Sequence, residues 1–216
     1  MSARERILAR IREKSGRSGE TSEAELEAAR AHIALRLRGP QPAIASEPAI
    51  ARFKHESERL KSSVATLASV ADVPREVARY LDEIRVEKTV VGWPAFTALP
   101  WSHSQVRYLD HIADGDDLVG LTGCFCAIGE TGTLLLLSSP TTPKLTALLP
   151  ETHICVVNKD RIVPTMEDAF QLLRDEKKQL PRATFFVSGP SRTADIEQTI
   201  VIGAHGPYRV HVIVVP

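Results

Sequence analysis

The sequence predicts an α/β fold: a mainly parallel sheet with helices on both faces, preceded by a helical N-terminal extension. From Thr89 onward, apolar runs of strand length recur along the chain. Several of these runs are continuous rather than alternating, which is typical of strands that are buried on both faces. Residues 164–179 and 193–202 lie between later runs and have helical patterns, and strand–helix–strand order implies right-handed crossovers between parallel strands. We therefore predict a helical extension over residues 1–87 and an α/β domain over residues 88–216.

The extension contains four predicted helices. Ser2–Glu5 and Ser22–Glu25 are capping-box patterns, and each precedes apolar residues at helical spacing. Gly39–Pro42 breaks the chain. A third helix is predicted over residues 48–68, and a fourth over 74–85 with proline in its first turn. The charged segment before Gly39 has two interpretations, an arm that packs on a partner or a neighbouring subunit, and a frayed, solvated terminus.

The predicted strands share continuous apolar character and strand length. They are Thr89–Val91, Leu118–Leu121, Cys124–Ile128, Leu134–Leu137, Ile154–Val157, Thr184–Val187 and Val210–Val215. Ligands of parallel sheets bind beyond the carboxyl ends of the strands. The loops that follow these runs are therefore where we expect a site.

Composition and charge exclude several classes of function. Lysine and arginine together number 27, as do aspartate and glutamate, so the balance gives no sign of nucleic-acid binding. No run of apolar residues approaches the length of a membrane span. The first residues carry both charge signs and lack an apolar stretch, unlike a signal peptide. We expect a cytoplasmic protein with no membrane span.

The three cysteines, Cys124, Cys126 and Cys155, fit a reducing compartment. They are too few for an iron–sulfur cluster, which requires four ligands, and no spaced histidine pair completes a zinc site. We expect buried structural thiols, no metal and no cofactor in this chain.

The first candidate site is the stretch Ser188–Glu197, which follows a predicted strand and enters the predicted helix over residues 193–202. The free N–H groups at such a helix start favour an anion or a polar ligand. The candidate ligand-binding residues are Ser188, Gly189, Ser191, Arg192 and Thr193. The alternative is an ordinary helix capped by Ser191 or Thr193, with Asp195 and Glu197 answering the helix dipole from within the chain.

The second candidate site is the glycine-rich link Ala127–Thr133 between two predicted strands. Its Glu130 is a candidate nucleophile, general base or hydrogen-bond acceptor, and Thr131, Gly132 and Thr133 are candidate ligand-binding residues. The link lacks the lysine of a P-loop and the third glycine of a dinucleotide fingerprint. The alternative is a hairpin turn with an exposed glutamate.

The third candidate is His205 in the loop Gly203–Pro207, where an imidazole titrates near neutral pH or binds an oxyanion. The alternative is a loop histidine that bonds a backbone carbonyl. We predict that Glu130, Ser191, Thr193 and His205 face one pocket. Glu130 has the stronger case, because a loop that enters a strand normally lies opposite the carboxyl end of the preceding strand.

Taken together, Glu130–Thr133, Gly189–Glu197 and Gly203–Pro207 resemble the pattern of the lactate-utilisation protein C family, the single-domain LUD proteins. The resemblance runs from about Val86 to the C-terminus and includes Val163-Pro164. It implies a fold similar to the sugar-phosphate isomerase and CoA-transferase group. It also implies a role in oxidising L-lactate to pyruvate beside two iron–sulfur partner proteins.

The resemblance leaves the contribution of this chain open. One reading is a subunit of an L-lactate dehydrogenase complex that binds a small anionic ligand and assists catalysis. A second is a non-catalytic assembly or regulatory subunit, and a third is a sugar-phosphate- or CoA-ester-binding enzyme of the same fold group.

Overall fold

The structure is a computed structural model that describes residues 2–16, 21–41, 43, 47–177, 179–194 and 200–216. By its internal contacts the chain divides into two units, residues 1–43 and 44–216. The sequence predicts a boundary between residues 87 and 88, so this division falls earlier in the chain. Among the described helices, none is both long and apolar enough to cross a bilayer.

The first unit contains helices α1 (Ala3–Lys14) and α2 (Glu23–Leu35). Both predicted capping boxes form: the Ser2 and Ser22 hydroxyls each accept the N–H of the glutamate three residues on, and that glutamate bonds back to the cap. Neither helix buries a residue. Their local sequence, rather than packing within this unit, therefore accounts for them.

The second unit begins with α3 (Ala49–Arg59) and β1 (Ser63–Thr66). The prediction of one helix over residues 48–68 is therefore wrong in its second half. Lys61 adopts φ 73°, and the Ser62 N–H donates to the Ser57 carbonyl. These features end α3 and turn the chain into β1. Helical spacing does not reveal this reversal, because a four-residue edge strand has too few residues to show its own period.

A six-stranded parallel sheet forms the centre of the second unit. The strand order is β1-β12-β7-β4-β2-β3, and every pairing in it is parallel. Besides β1 its strands are β2 (Thr89–Gly92), β3 (Arg107–Leu109), β4 (Val119–Gly123), β7 (Thr152–Asn158) and β12 (Arg209–Val215). The predicted parallel sheet is confirmed, and β1 and β3 are strands that the sequence did not reveal.

Three of the predicted strand runs belong to a second, four-stranded sheet. Its order is β8-β5-β6-β9, with β5–β6 and β6–β9 antiparallel and β5–β8 parallel. Its strands are β5 (Cys126–Ile128), β6 (Thr133–Leu137), β8 (Ile162–Val163) and β9 (Thr184–Val187). An apolar run shows that a strand is buried but not which sheet it joins, and that is why a single sheet was expected.

The two sheets stack, and this explains the continuous apolar runs. Along β7, Ile154 and Val156 face a cluster with α4 (Val73–Ile84), whereas Cys155 and Val157 face β6. Helices α3 and α5 (Leu145–Leu148) contribute to this second face, so helices cover both faces, but one face is shared with the four-stranded sheet. Helix α6 (Met166–Glu176) packs on the outer face of that sheet.

The predicted helix over residues 193–202 is wrong at both described ends. Residues 192–193 form β10 (Arg192–Thr193), which pairs antiparallel with β11 (Val201–Ile202). The Ser191 N–H donates to the Pro207 carbonyl, and the Ser191 carbonyl accepts from the Gly203 N–H, so the backbone bonds across a ribbon instead of along a helix. Residues 195–199, with Asp195 and Glu197, lie outside the described residues.

Candidate functional site

The glycine-rich link between β5 and β6 lies against the end of α3. Gly132 has φ 62°, and a Cβ added there would lie 2.5 Å from the Ser57 nitrogen and 2.6 Å from the Glu56 carbonyl carbon. The Ser57 hydroxyl, itself buried, also donates to the Gly132 carbonyl over 3.3 Å. The glycine at position 132 is therefore required by the approach of a helix backbone.

The turn after β9 lies against the same helix end. Gly189 has φ 77°, and a Cβ there would lie 2.6 Å from the Leu60 carbonyl oxygen. The Arg192 guanidinium donates to that same carbonyl, which is at the C-terminal cap of α3. Both glycine motifs therefore pack against the end of α3. The sequence does not reveal this contact, because α3 lies far from both motifs along the chain.

A hydroxyl pair joins the two motifs directly. Thr133 Oγ1 and Ser188 Oγ lie 2.8 Å apart, and the Thr133 side chain is buried while Ser188 is exposed. Thr133 Oγ1 also lies 3.4 Å from the Thr131 carbonyl. When Thr133 donates to Ser188, the Ser188 proton is free for a ligand.

Glu130 lies at the start of α6. Its Oε1 accepts the Met166 N–H over 2.7 Å, and its own N–H donates to the Pro164 carbonyl over 3.0 Å. A carboxylate at this position satisfies a free N–H and complements the helix dipole. Beside it, the buried Thr131 Oγ1 has no hydrogen-bond partner among the described residues.

A cleft of about 270 Å³ brings four of the predicted residues together: Ser188, Gly189, Ser191 and His205. Its remaining walls come from the end of α5, from β9 and from the loop before β12. They are Ala147, Leu148, Phe186, Val187, Pro190, Gly206 and Pro207.

Hydrogen bonds of the Ser191 backbone explain why His205 reaches this cleft. The Ser191 N–H and carbonyl bond to Pro207 and Gly203, on either side of His205, and hold the loop 203–207 beside the turn. The imidazole is exposed at the rim. The sequence favours Glu130 over His205 for this pocket, but His205 lines the cleft with Ser191 and Glu130 does not.

Arg192 and Thr193 leave the turn as β10 and do not line the cleft. The cleft lies beside the amino end of β12 in the parallel sheet, and it also lies beside the turn 188–191 at the carboxyl end of β9. An amino end and a carboxyl end can meet here because β9 belongs to the four-stranded sheet and β12 to the parallel sheet. The expectation of a site beyond the carboxyl ends of the parallel strands does not describe this cleft.

The three cysteines are free, with Cys126 and Cys155 buried and Cys124 half-buried. A hydrogen bond with Cys155, together with burial, raises the pKa of Cys124 well above its usual range. Burial raises the pKa of Cys126 to about 12. The Cys124 and Cys126 thiols are therefore protonated at neutral pH, which makes them weak nucleophiles and weak metal ligands.

One described group has the composition of a metal site: His111, Asp114 and Asp117, whose potential ligand atoms lie within 4.8 Å of one another. His111 Nε2 lies 3.0 Å from Asp117 Oδ2, and that same oxygen accepts the Asp114 N–H over 2.9 Å. These bonds account for the arrangement as a local turn on the surface.

A buried polar network lies between α4 and β12. His211 Nδ1 lies 2.8 Å from Ser63 Oγ, and its Nε2 lies 3.2 Å from Glu76 Oε1 without an aligned hydrogen bond. Tyr80 stacks on the imidazole with ring centroids 4.0 Å apart, and Arg79 donates two hydrogen bonds to Glu76. Because Arg79 already holds the Glu76 carboxylate, we assign this Ser–His–Glu arrangement to stability.

A known family model matches the part of the chain that contains both glycine motifs and His205. The LUD domain model matches residues 113–215. The chain is 39% identical over 88 residues to the uncharacterized protein NMB1437 of Neisseria meningitidis, covering 41% of this chain and 38% of that protein. It is 39% identical over 100 residues to lactate utilization protein C 1 of Bacillus mycoides, covering 45% and 43%. The match thus spans less than half the length of these two relatives.

One relative and one solved structure, both from Deinococcus radiodurans, match over more of the chain. Lactate utilization protein C is 33% identical over 165 residues, covering 69% of this chain and 72% of that protein. The crystal structure of a DUF162 family protein superposes with a TM-score of 0.55 at 24% identity, covering 81% of this chain and 100% of that one, a likeness of fold. By its sequence match to the first of these, together with the LUD domain in its C-terminal half, this chain belongs to the lactate utilization protein C family.

Proposed function

We propose that this chain is the small-anion-binding subunit of a system that oxidises L-lactate to pyruvate, acting beside iron–sulfur partner proteins. The observation that carries the proposal is the cleft in which Ser188, Gly189, Ser191 and His205 converge from two separate segments. Membership of the lactate utilization protein C family supports the choice of lactate and pyruvate as ligands.

The residues of the cleft suit a short carboxylate. The hydroxyls of Ser188 and Ser191 and the imidazole of His205 can each donate a hydrogen bond to a carboxylate oxygen. Leu148, Phe186 and Val187 supply an apolar wall for the methyl group of lactate. The cleft therefore combines a polar rim with an apolar wall, as small-molecule sites do.

Glu130 has a different place in this proposal. The sequence makes it a candidate general base, but its Oε1 accepts the Met166 N–H at the start of α6. We propose that Glu130 acts as a positioning residue: it fixes the link that carries Thr133, and Thr133 in turn orients the Ser188 hydroxyl. The electrons released by lactate would pass to the iron–sulfur partners.

A second candidate function, a non-catalytic assembly or regulatory subunit, is favoured by a specific observation. Gly132 and Gly189 pack against a helix backbone, and Arg192 donates to a carbonyl of that helix, so several motif residues already have structural partners. The fold similarity to sugar-phosphate isomerases and CoA transferases is likewise a proposal, supported by the all-parallel six-stranded sheet. It keeps sugar phosphates and CoA esters among the ligands to test.

The test is a thermal-shift panel of L-lactate, D-lactate, pyruvate, sugar phosphates, nucleotides and CoA esters on the purified chain. We expect L-lactate or pyruvate to raise the melting temperature, and Ser191→Ala and His205→Ala each to weaken binding about tenfold or more. His103→Ala, which removes an exposed histidine outside the cleft, serves as the matched control. Unchanged ligand binding and unchanged lactate-dependent activity of the assembled system in both cleft variants would favour the assembly subunit.

A further inference from the structure

A second cleft, of about 370 Å³, opens at the opposite edge of the parallel sheet, beyond the carboxyl ends of its strands. Trp93 follows β2, and Cys124 and Phe125 follow β4, and all three line this cleft. We call it the carboxyl-edge cleft. It does not depend on the proposed function, because it shares no lining residue with the Ser188–His205 cleft.

The strand order gives this position particular meaning. In the strand order β7-β4-β2-β3, β2 is followed along the chain by β3, its neighbour on one side. The next strand of this sheet after β4 is β7, on the other side. The connections therefore diverge between β2 and β4 and leave a crevice. Ligands of open parallel sheets bind in the crevice at such a switch point.

Donors for an anion lie on one side of the carboxyl-edge cleft. Ser138 Oγ accepts the Ala183 N–H over 2.8 Å, so its own proton remains available for a ligand. The neighbouring Ser139 hydroxyl lies at the same wall, 2.8 Å from the Thr142 hydroxyl and 3.1 Å from the Thr141 hydroxyl, and it accepts the Thr141 N–H over 3.2 Å. Ser138 therefore keeps its proton for an anion, and Ser139 can add its own when the threonine hydroxyls beside it are the donors.

A positive charge lies beside these hydroxyls. The Lys177 N–H donates to the Leu173 carbonyl over 2.9 Å, which holds the residue at the end of α6. Its ammonium lies 5.8 Å from the centroid of the Phe125 ring. The neighbouring Glu176 carboxylate interacts with it electrostatically but is itself paired with Arg161. Lys177 can therefore form a charge-assisted bond to an anionic group in the cleft.

The other walls are apolar and held in place. The Trp93 indole nitrogen donates to the Pro143 carbonyl over 3.2 Å, and Arg161 lies over the Phe125 ring at 4.7 Å. Leu137 completes the apolar wall. We propose that the carboxyl-edge cleft binds a small organic anion with an apolar ring or chain, whose phosphate or carboxylate group is held by Lys177, Ser138 and Ser139.

The chain contains a reporter for this binding, because Trp93 and Trp101 are its two tryptophans. Trp101→Phe leaves Trp93 as the fluorophore and keeps an aromatic ring to stack on Tyr108. The probes are phenyl phosphate and benzoate, with phenol and inorganic phosphate as the separate apolar and anionic parts. We expect at least one of the two aromatic anions to change the fluorescence saturably, with phenol and inorganic phosphate at least tenfold weaker.

Variants then assign the binding to the cleft. Lys177→Met keeps the alkyl stem and should weaken binding at least tenfold, whereas Lys177→Arg should retain it. Lys54→Met on α3 and His205→Ala in the other cleft should leave it unchanged. The proposal is overturned if neither phenyl phosphate nor benzoate gives a saturable change, or if Lys177→Met binds as tightly as Lys54→Met. Loss of binding in His205→Ala would instead place the ligand in the Ser188–His205 cleft.

Discussion

Replacing Gly132 by alanine tests whether the glycine-rich link is shaped by α3 or by a ligand. The added Cβ would lie 2.5 Å from the Ser57 nitrogen and 2.6 Å from the Glu56 carbonyl carbon, and φ at this position is 62°. The left-handed conformation costs alanine about 1–2 kcal/mol, and moving packed backbone atoms apart costs about 1–3 kcal/mol more. We therefore expect Gly132→Ala to lower the free energy of unfolding by about 2–5 kcal/mol.

For a chain of this length, that loss lowers the melting temperature by about 5–20 °C. Urea unfolding at neutral pH measures the free energy, and a thermal scan checks it. Gly115→Ala is the matched control, because nothing lies within 4 Å of its added Cβ and its φ is not positive. If the free energies of unfolding of the two variants agree within about 0.5 kcal/mol, the inference that α3 packs against Gly132 is refuted. Normal stability with lost ligand binding would show that a ligand approaches Gly132.

Three further predictions concern the network around Glu76, the first unit and the cysteines. Burial raises the pKa of Glu76, but the hydrogen bonds from Arg79 and the electrostatic interaction with the adjacent His211 imidazole outweigh it and lower the pKa from 4.5 to about 2. The carboxylate thus stabilises the fold above pH 4.5, and this contribution, about 2–3 kcal/mol after screening, is lost as the pH falls toward 2. About half of it is lost by pH 3, so urea unfolding should show a difference between pH 6 and pH 3 that is about 1–2 kcal/mol smaller in Glu76→Gln than in the parent chain, and an equal difference would contradict the pairing. Deleting residues 2–37 should leave cooperative unfolding of the second unit intact by circular dichroism, and a broad transition would show that the segment stabilises it. Metal analysis of the anaerobically purified chain should give no stoichiometric iron, and an iron charge-transfer band would contradict this.

The sequence was sufficient wherever the determinant was local. The capping boxes at Ser2 and Ser22 each lie within four residues, and the prediction of helices there is confirmed. Helix α4 likewise starts and ends within one residue of the bounds that its proline and its apolar spacing predict. The strand runs were found because continuous apolar character reports burial on both faces, whichever element covers them.

Sheet membership and the ribbon could not be predicted in this way. β9 pairs with β6, which lies about fifty residues earlier, and its apolar run would read the same in either sheet. Ser191 has hydroxyl-rich neighbours suited to a helix start, yet its backbone bonds to Pro207 and Gly203. A propensity of a few tenths of a kcal/mol per residue is easily overridden by such tertiary bonds.

For the candidate site, the sequence by itself determined which residues have the chemistry: the hydroxyls after β9, the histidine before β12 and the carboxylate between β5 and β6. The tertiary structure decided which of them meet. It placed His205 beside Ser191 and committed Glu130 to the start of α6. The physical reason is that side-chain chemistry is a property of single residues, whereas a cleft depends on backbone contacts between distant segments, such as those of Gly132 and Gly189 with α3.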